Sequence, residues 1–163
     1  MDICIRQAED CDIEHVVSLC GKQCAFNRGN HSEACKYDEY EPVLQATLEK
    51  MRYAFLNRDE NALFLLAEGD GAPFAYVYAR IYEECPTADD GGGRMGILEK
   101  LFLAEEARGS GLGQRLLDET MDWFLAKGMR RVRIHAYSWN QRARGLYEKN
   151  GFREYAVSFE KFI

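Results

Sequence analysis

The sequence predicts one α/β domain, residues 1–163, built on a mixed β-sheet with helices on both faces. Its 163 residues suit one domain with a substantial core and are too few for two. The composition, 47% apolar and 29% charged, is ordinary for a soluble globular protein. Strand and helix patterns alternate in the order β, α, α, β, β, β, α, β, α, β, which favours a layered arrangement.

The first half of the chain predicts two helices and a hairpin. Alternation of apolar and polar residues marks the strands, and apolar residues at helical spacing mark the helices. A polar loop over residues 27–41 separates the helices, and Pro42 stands in the first turn of the second, where helices tolerate it. The predicted elements are a strand at 3–7, a helix at about 10–26, a helix at 42–56 and strands at 62–67 and 74–82.

The second half predicts a flexible loop over residues 83–94, because Pro86 and a run of glycines lie there. Beyond it the predicted elements are a strand at 95–103, a helix from 112 to the Lys127-Gly128 stop, a strand at 132–137, a helix at about 139–149 closed by Asn150-Gly151, and a strand at 152–162.

A glycine-rich turn, residues 107–114, joins the strand at 95–103 to the helix that follows. Its glycines let the backbone approach a ligand closely, and the first turn of the helix offers free N–H groups and a positive dipole end. Phosphate is the expected ligand of this turn, and Arg108 would place a permanent positive charge beside it. The turn lacks the Gly-Lys-Ser/Thr ending of a P-loop and the G-x-G-x-x-G spacing of a dinucleotide site.

Charge and composition exclude other classes. The formal charge of −6 argues against non-specific nucleic-acid binding. The N-terminus lacks a signal-peptide pattern and no window approaches a membrane span, so the expected location is the cytoplasm. Three pairs of Cys or His residues are spaced by four, but they form no closely spaced knuckle, and no metal site is expected. These pairs are Cys11/His15, Cys20/Cys24 and His31/Cys35.

Two separate motifs resemble the GCN5-related N-acetyltransferase (GNAT) superfamily. Arg108-x-x-Gly111-x-Gly113 resembles the family's acyl-CoA pyrophosphate loop, Gln/Arg-x-x-Gly-x-Gly/Ala. Asn140-x-x-Ala143-x-x-Leu146-Tyr147, followed by Gly151-Phe152, resembles its second signature. The resemblance implies a GNAT-like fold of about six to seven strands and four helices, and acyl transfer from acetyl-CoA to an amine.

The resemblance also assigns the acetyl-CoA contacts. The N–H groups of the loop would hold the pyrophosphate, and pantetheine would lie like an extra strand in a gap between the strand at 101–103 and the strand at 132–137. Asn140 and Tyr147 lie two helical turns apart on one face of a helix. The expected cofactor-binding residues are Leu101, Phe102, Leu103, Arg108, Gly109, Ser110, Gly111, Leu112, Gly113, Gln114, Asn140 and Tyr147.

Two further residues are candidates for proton transfer. Tyr147 stands where the family commonly places the general acid for the leaving thiolate; an aromatic residue packed on the sheet is the other interpretation. Glu99 is the first candidate for the base, since counting by two places it on the side of Leu101 and Leu103. His135 is its rival, and either can instead be a paired structural residue.

The acceptor is predicted from charge alone. The resemblance places residues 27–41 and 83–94 at the acceptor side, and both are acid-rich: Asp38, Glu39, Glu41, Glu83, Glu84, Asp89 and Asp90. A small cationic amine is the first hypothesis, although a charge run is more often a solvated surface. A protein or peptide N-acetyltransferase and a non-catalytic acyl-CoA-binding module are the alternatives. Dimers are frequent among similar proteins, so a homodimer is one expected state.

Overall fold

Five strands form one mixed sheet in a computed structural model of the chain. The structure describes residues 2–32, 39–89 and 92–163. The strands are β1 (Cys4–Gln7), β2 (Ala62–Glu68), β3 (Ala75–Glu84), β4 (Gly93–Leu103) and β5 (Val132–Ile134). They lie in the order β1-β2-β3-β4-β5, with antiparallel pairs except for the parallel β4 and β5. The predicted fold class is confirmed, with five strands in place of six to seven.

Within the described ranges four helices accompany the sheet, as predicted: α1 (Ile13–Asn30), α2 (Tyr40–Leu56), α3 (Leu112–Ala126) and α4 (Gln141–Lys149). Short 3-10 turns precede α1 at Asp10–Asp12 and the glycine loop at Glu105–Ala107. Helix α1 ends four residues later than predicted, because Gly29 and Asn30 continue the helix before His31 becomes extended. The loop expected to start at residue 27 therefore starts later.

The sheet separates two hydrophobic layers, and β2 shows how. Leu63, Leu65 and Ala67 pack with α3 and α4 on one side, which we call the α3/α4 face. Phe64 and Leu66 pack with α1 and α2 on the other, the α1/α2 face. Because all five residues are 5% exposed or less, β2 reads as a continuous apolar run and is covered on both faces.

The predicted strand at residues 152–162 is wrong. Beyond Phe152 the chain has no regular secondary structure and its residues are exposed, with Phe159 at 95% exposure. Tyr155, Val157 and Phe159 alternate as they would in a strand, but alternation supplies no hydrogen-bonding partner strand. The tail instead makes side-chain contacts, such as Tyr155 beneath the guanidinium of Arg133.

The loop before β4 is shorter than predicted, since β3 continues to Glu84 and β4 starts at Gly93. Close packing behind β4 depends on Gly96, because a Cβ there would lie 2.5 Å from the Phe124 ring of α3. Within the part of the chain that the structure describes, no helix combines the length and the apolar character needed to cross a bilayer.

Candidate active site

The glycine loop between β4 and α3 has the backbone conformation its sequence predicts. Gly109 and Gly111 have φ values of +82° and +81°, in the left-handed region that residues with a Cβ rarely adopt. No atom lies within 4 Å of a Cβ placed at either glycine, so conformation rather than crowding requires them. Gly113 differs, because it lies within the first turn of α3.

Four backbone amides at this corner have no intramolecular acceptor in the ranges the structure describes: Gly109, Ser110, Gly111 and Gly113. The amides of Arg108 and Gln114 already donate, to the carbonyls of Glu105 and Gly111, each at 3.1 Å. Fewer backbone N–H groups are therefore free to bind a phosphate than the seven, residues 108–114, that the sequence predicts. Unpaired N–H groups at the N-terminus of a 15-residue helix fit the diphosphate of an acyl-CoA.

The side chain of Arg108 is engaged away from these amides. Its Nε donates to the carbonyl of Leu103 at 3.1 Å, and its guanidinium lies 4.3 Å from the ring centre of Phe26 in α1. It also lies 5.9 Å from the ring centre of Phe102. The permanent cation predicted beside a phosphate thus links the loop to α1 through contacts with two aromatic rings.

Strands β4 and β5 part just before the loop. They pair only from Gly96 to Leu98 against Val132 to Ile134. The next residue, Glu99, is a β-bulge: Leu98 opposes Ala79 and Lys100 opposes Tyr78, so Glu99 has no partner in β3. A bulge bends and twists the strand that carries it, and here it coincides with the end of pairing to β5. The gap implied by the family resemblance therefore starts at Glu99.

The predicted side of Glu99 is wrong for the same reason. Leu101 and Leu103 pack on the α3/α4 face. Glu99 Oε1 instead accepts a hydrogen bond from Arg80 Nε at 2.5 Å, and Arg80 follows Tyr76 and Tyr78, which pack on the α1/α2 face. Counting by two fails across a bulge, because the extra residue changes the alternation. Glu99 therefore belongs to the α1/α2 side of the sheet.

Tyr147 lies on the opposite side. It is 8% exposed within the layer formed with α3, and its ring contacts Phe152 edge-on with centres 5.9 Å apart. Burial raises the pKa of Tyr147 to about 12, so the phenol keeps its proton at neutral pH. Asn140 begins the same helix as its N-cap, and its Oδ1 accepts from the amide of Ala143 at 3.1 Å. The second motif thus fixes the helix that carries Tyr147.

An aromatic cluster that was not predicted from the sequence joins α1 to the segment before α4. Its members are Phe26, His31, Phe102, Tyr137 and Trp139. Trp139 Nε1 donates to His31 Nδ1 at 3.2 Å, and the His31 ring meets Tyr137 edge-on at 4.4 Å. Phe26 contacts both Trp139 and Phe102, with ring centres 5.9 and 6.4 Å apart. The sequence signal that could have predicted this cluster is the pair of aromatic residues, Tyr137 and Trp139, just before Asn140.

The rival base and the acidic residues predicted at the acceptor side do not form one cluster among the described residues. His135 is exposed just beyond the end of β5. Glu84 forms an ion pair with Arg133 at 3.5 Å, and Glu39, Glu41, Glu83 and Asp89 are exposed. Cys35, Asp38 and Asp90 lie outside the described residues.

The sequence profile of the Acetyltransferase (GNAT) family matches residues 29–152. The chain therefore belongs to the GNAT acetyltransferase family. It is an acyltransferase that uses acetyl-CoA as its acyl donor, and the unpaired amides and parted strands described above fit that donor.

Among curated relatives, the chain is 30% identical to the uncharacterized N-acetyltransferase YhfO of Bacillus subtilis over 151 residues, which cover 92% of this chain and 89% of that protein. It is 32% identical to the thialysine N-epsilon-acetyltransferase of Bos taurus over 62 residues, only 38% of this chain and 36% of that protein. The name of the second relative states an amine substrate for that protein.

Solved structures share the fold at low identity. A predicted acetyltransferase from Clostridium acetobutylicum, determined with acetyl-CoA, matches with a TM-score of 0.74 at 18% identity, covering 99% of this chain and 96% of that chain. An aminoglycoside antibiotic 6'-N-acetyltransferase from Acinetobacter baumannii matches with a TM-score of 0.68 at 22% identity and covers 99% of both chains.

Proposed function

We propose that this enzyme transfers the acetyl group of acetyl-CoA directly to a primary amine of a small, cationic molecule. The observation that carries the proposal is that Glu99 and Tyr147, the two candidates for proton transfer, lie on opposite faces of the sheet. Glu99 belongs to the α1/α2 side and Tyr147 to the α3/α4 side. The acceptor amine and the departing thiol need protons moved in opposite directions, so two separated groups suit the reaction.

Bound acetyl-CoA supplies an activated acetyl thioester. On the acceptor side, Glu99 takes a proton from the ammonium group of the acceptor, directly or through water, which frees the nitrogen lone pair. Its ion pair with Arg80 orients the carboxylate at the bulge. On the other side, Tyr147 gives its proton to the departing sulfur. Because burial keeps its pKa high, the phenol holds this proton until the thiolate forms.

The aromatic residues near the glycine loop also favour amines over other acceptors. The aromatic cluster of Phe26, His31, Phe102, Tyr137 and Trp139 borders the glycine loop through Arg108. Aromatic faces attract ammonium groups by cation–π contacts, with Trp the strongest. Tyr137 and Trp139 stack at 5.5 Å, and Tyr137 is 50% exposed, so part of the cluster faces solvent.

Negative charge at the N-terminus of α2 supports a cationic acceptor. Glu39 and Glu41 are exposed and lie at the start of that helix, and His31 of the aromatic cluster directly follows the last residue of α1. The acidic residues of the β3–β4 connection contribute less than their number suggests, because Glu84 is paired with Arg133. Relatives named for thialysine and aminoglycosides act on cationic amines, which agrees with the proposal.

The test is a panel of amines with acetyl-CoA, following release of free thiol. Each diamine or aminoglycoside is paired with a monoamine of similar size, so that the pair differs in its second positive charge. We expect kcat/KM to be about tenfold or more higher for the dication of each pair, equivalent to at least about 1.4 kcal/mol. Equal rates within the pairs would refute the cationic preference.

Two outcomes would replace the proposal. Peptides that exceed every small amine in kcat/KM would select a protein or peptide N-acetyltransferase. Tight acetyl-CoA binding without thiol release for any amine would select a non-catalytic acyl-CoA-binding module.

A further inference from the structure

Helix α1 carries two cysteines that meet at the edge of the core. Cys20 is 1% exposed and belongs to the buried layer on the α1/α2 face, and Cys24, one turn later, is partly buried against that layer. Residues four apart share one face of a helix, about 5–6 Å apart at their Cβ atoms. The two side chains therefore lie side by side, close enough for a hydrogen bond between the thiols. The proposed acetyl transfer does not use either group.

Charged and titratable groups from every neighbouring element surround the pair. Tyr76 of β3 lies in the same buried layer as Cys20 and donates its hydroxyl to Gln23 Oε1 at 2.5 Å. Lys100 of β4 lies close enough for its charge to act on both sulfurs. Tyr40 of α2 faces Cys24, and its hydroxyl is buried without a hydrogen-bond partner among the described residues.

This environment makes the two thiols unequal. The hydrogen bond from Cys20, aided by the charge of Lys100 and opposed by burial, lowers the pKa of Cys24 to about 7. The same hydrogen bond, together with burial, raises the pKa of Cys20. Cys24, the more exposed of the two, is therefore the thiol that more readily forms the nucleophilic thiolate, and the buried Cys20 keeps its proton.

We propose that Cys20 and Cys24 are a hydroperoxide-reactive dithiol that closes to a disulfide within α1. The Cys24 thiolate attacks one peroxide oxygen, so an S–O bond forms, the O–O bond breaks and an alkoxide or hydroxide leaves. Cys20 then loses its proton and attacks the Cys24 sulfenic acid, so the S–S bond forms and the S–O bond breaks, releasing water. The two sulfurs lose two electrons, and the hydroperoxide is reduced to an alcohol, or to water in the case of hydrogen peroxide.

Disulfide formation would disturb the acceptor side of the proposed transferase. Phe26 lies two residues beyond Cys24 and contacts Trp139, Phe102 and Arg108. A disulfide brings its Cα atoms to about 4.4–6.8 Å with a fixed torsion, which constrains that turn of α1. This consequence rests on the proposed function, whereas formation of the bond does not.

The bond can be detected without any activity measurement. Lys22 lies between the cysteines, so trypsin places them in separate peptides, residues 7–22 and 23–28. The reduced full-length protein is treated with a few equivalents of hydrogen peroxide, alkylated and digested. We expect the two peptides to be linked, and the link to disappear on reduction. If both peptides instead carry fully alkylated cysteines, the proposal is overturned.

Single substitutions assign the roles. Peptide 7–22 also contains Cys11, so Cys11→Ser should keep the link, and so should Cys85→Ser, which removes an exposed thiol. Cys20→Ser should stop at a sulfenic acid on Cys24, trapped by dimedone. A link that survives in Cys24→Ser, or dimedone labelling of Cys85 equal to that of Cys24, would overturn the assignment. The wild-type link remains decisive if a serine variant does not fold.

Two further measurements separate this site from the proposed transferase. The rate of Cys24 alkylation should reach half its maximum near pH 7, and Lys100→Gln should slow it at that pH while Lys100→Arg restores it. A Lys100→Gln rate equal to wild type would overturn the role of that charge. In the oxidised protein the KM for the amine should rise severalfold and recover on reduction, with the KM for acetyl-CoA unchanged. An unchanged amine KM would overturn the coupling to the acceptor side.

Discussion

The donor side and the acceptor side of the site are built in different ways. The proposed donor side is mostly backbone from one stretch of chain, residues 101–113, where two left-handed glycines and a helix N-terminus follow the end of β4. The proposed acceptor side consists of side chains from α1, β4 and the segment before α4, and its hydrogen bond between His31 and Trp139 spans 108 residues. Changes on the donor side should therefore affect acetyl-CoA, and changes on the acceptor side should affect the amine.

The largest expected effect is the loss of kcat when Tyr147 is changed. Tyr147→Phe removes the proposed proton donor and keeps the buried ring, so kcat should fall by about 100- to 10,000-fold with little change in the KM for acetyl-CoA. The matched control is Tyr53→Phe, since Tyr53 is 71% exposed on α2. Stopped-flow or steady-state thiol release measures both. A kcat within threefold of wild type would leave Tyr147 as a packing residue.

The same residue predicts a pH profile. Burial disfavours the phenolate, so the pKa of Tyr147 is raised, to about 12, and the proton is lost only above that range. Wild-type kcat should show no alkaline loss attributable to Tyr147 below about pH 11, limited in practice by folding. An alkaline limb near pH 8 that vanishes in Tyr147→Phe would contradict the buried, protonated phenol.

The next effect tests the acceptor-side base. Glu99→Gln should lower kcat/KM about 100-fold at pH 7, because the acceptor then depends on its small neutral fraction. The deficit should shrink as pH rises toward the pKa of the amine, since deprotonated amine becomes abundant. His135→Gln is the comparison variant. If it loses more activity than Glu99→Gln, the base is His135 rather than the bulge carboxylate.

A glycine pair tests whether the donor side depends on backbone. Gly111→Ala forces a residue with a Cβ into φ +81°, at a cost of about 1–2 kcal/mol, so acetyl-CoA affinity should fall roughly five- to thirtyfold. Gly113→Ala is the matched control, because its Cβ would meet Leu146 at an ordinary 3.6 Å within a helix. Titration calorimetry with acetyl-CoA distinguishes them. Equal affinities would mean that loop conformation does not govern donor binding.

The smallest expected effect sharpens the acceptor side. Trp139→Phe keeps an aromatic ring but removes the N–H that donates to His31, a hydrogen bond with a net value of about 0.5–1.5 kcal/mol. The KM for the amine should rise roughly two- to tenfold, with that for acetyl-CoA unchanged. A rise in the acetyl-CoA KM instead would place Trp139 on the donor side.

The two sides also differ in how well the sequence predicts them. The fold class, the four helices and the strands through β5 follow from apolar periodicity, and the glycine loop follows from residues adjacent in sequence. The prediction of a final strand at 152–162 failed because its alternation is real but no strand in the described part of the chain pairs with it. The prediction of the face on which Glu99 lies failed because the bulge adds one residue to β4 and so changes the alternation of side chains between the two faces. The aromatic cluster was missed because Phe26 and Trp139 are far apart in sequence.

By itself the sequence determined the order of elements through α4, the family and the conformation of the glycine loop, because each depends on neighbouring residues: periodicity, or a backbone conformation that only glycine adopts readily. The tertiary structure alone decided which side of the sheet receives Glu99, that Arg108 turns toward Phe26, and that Cys20 and Cys24 meet beside Lys100. These depend on distances between elements that are remote in sequence, and such distances are fixed only when the helices pack onto the sheet.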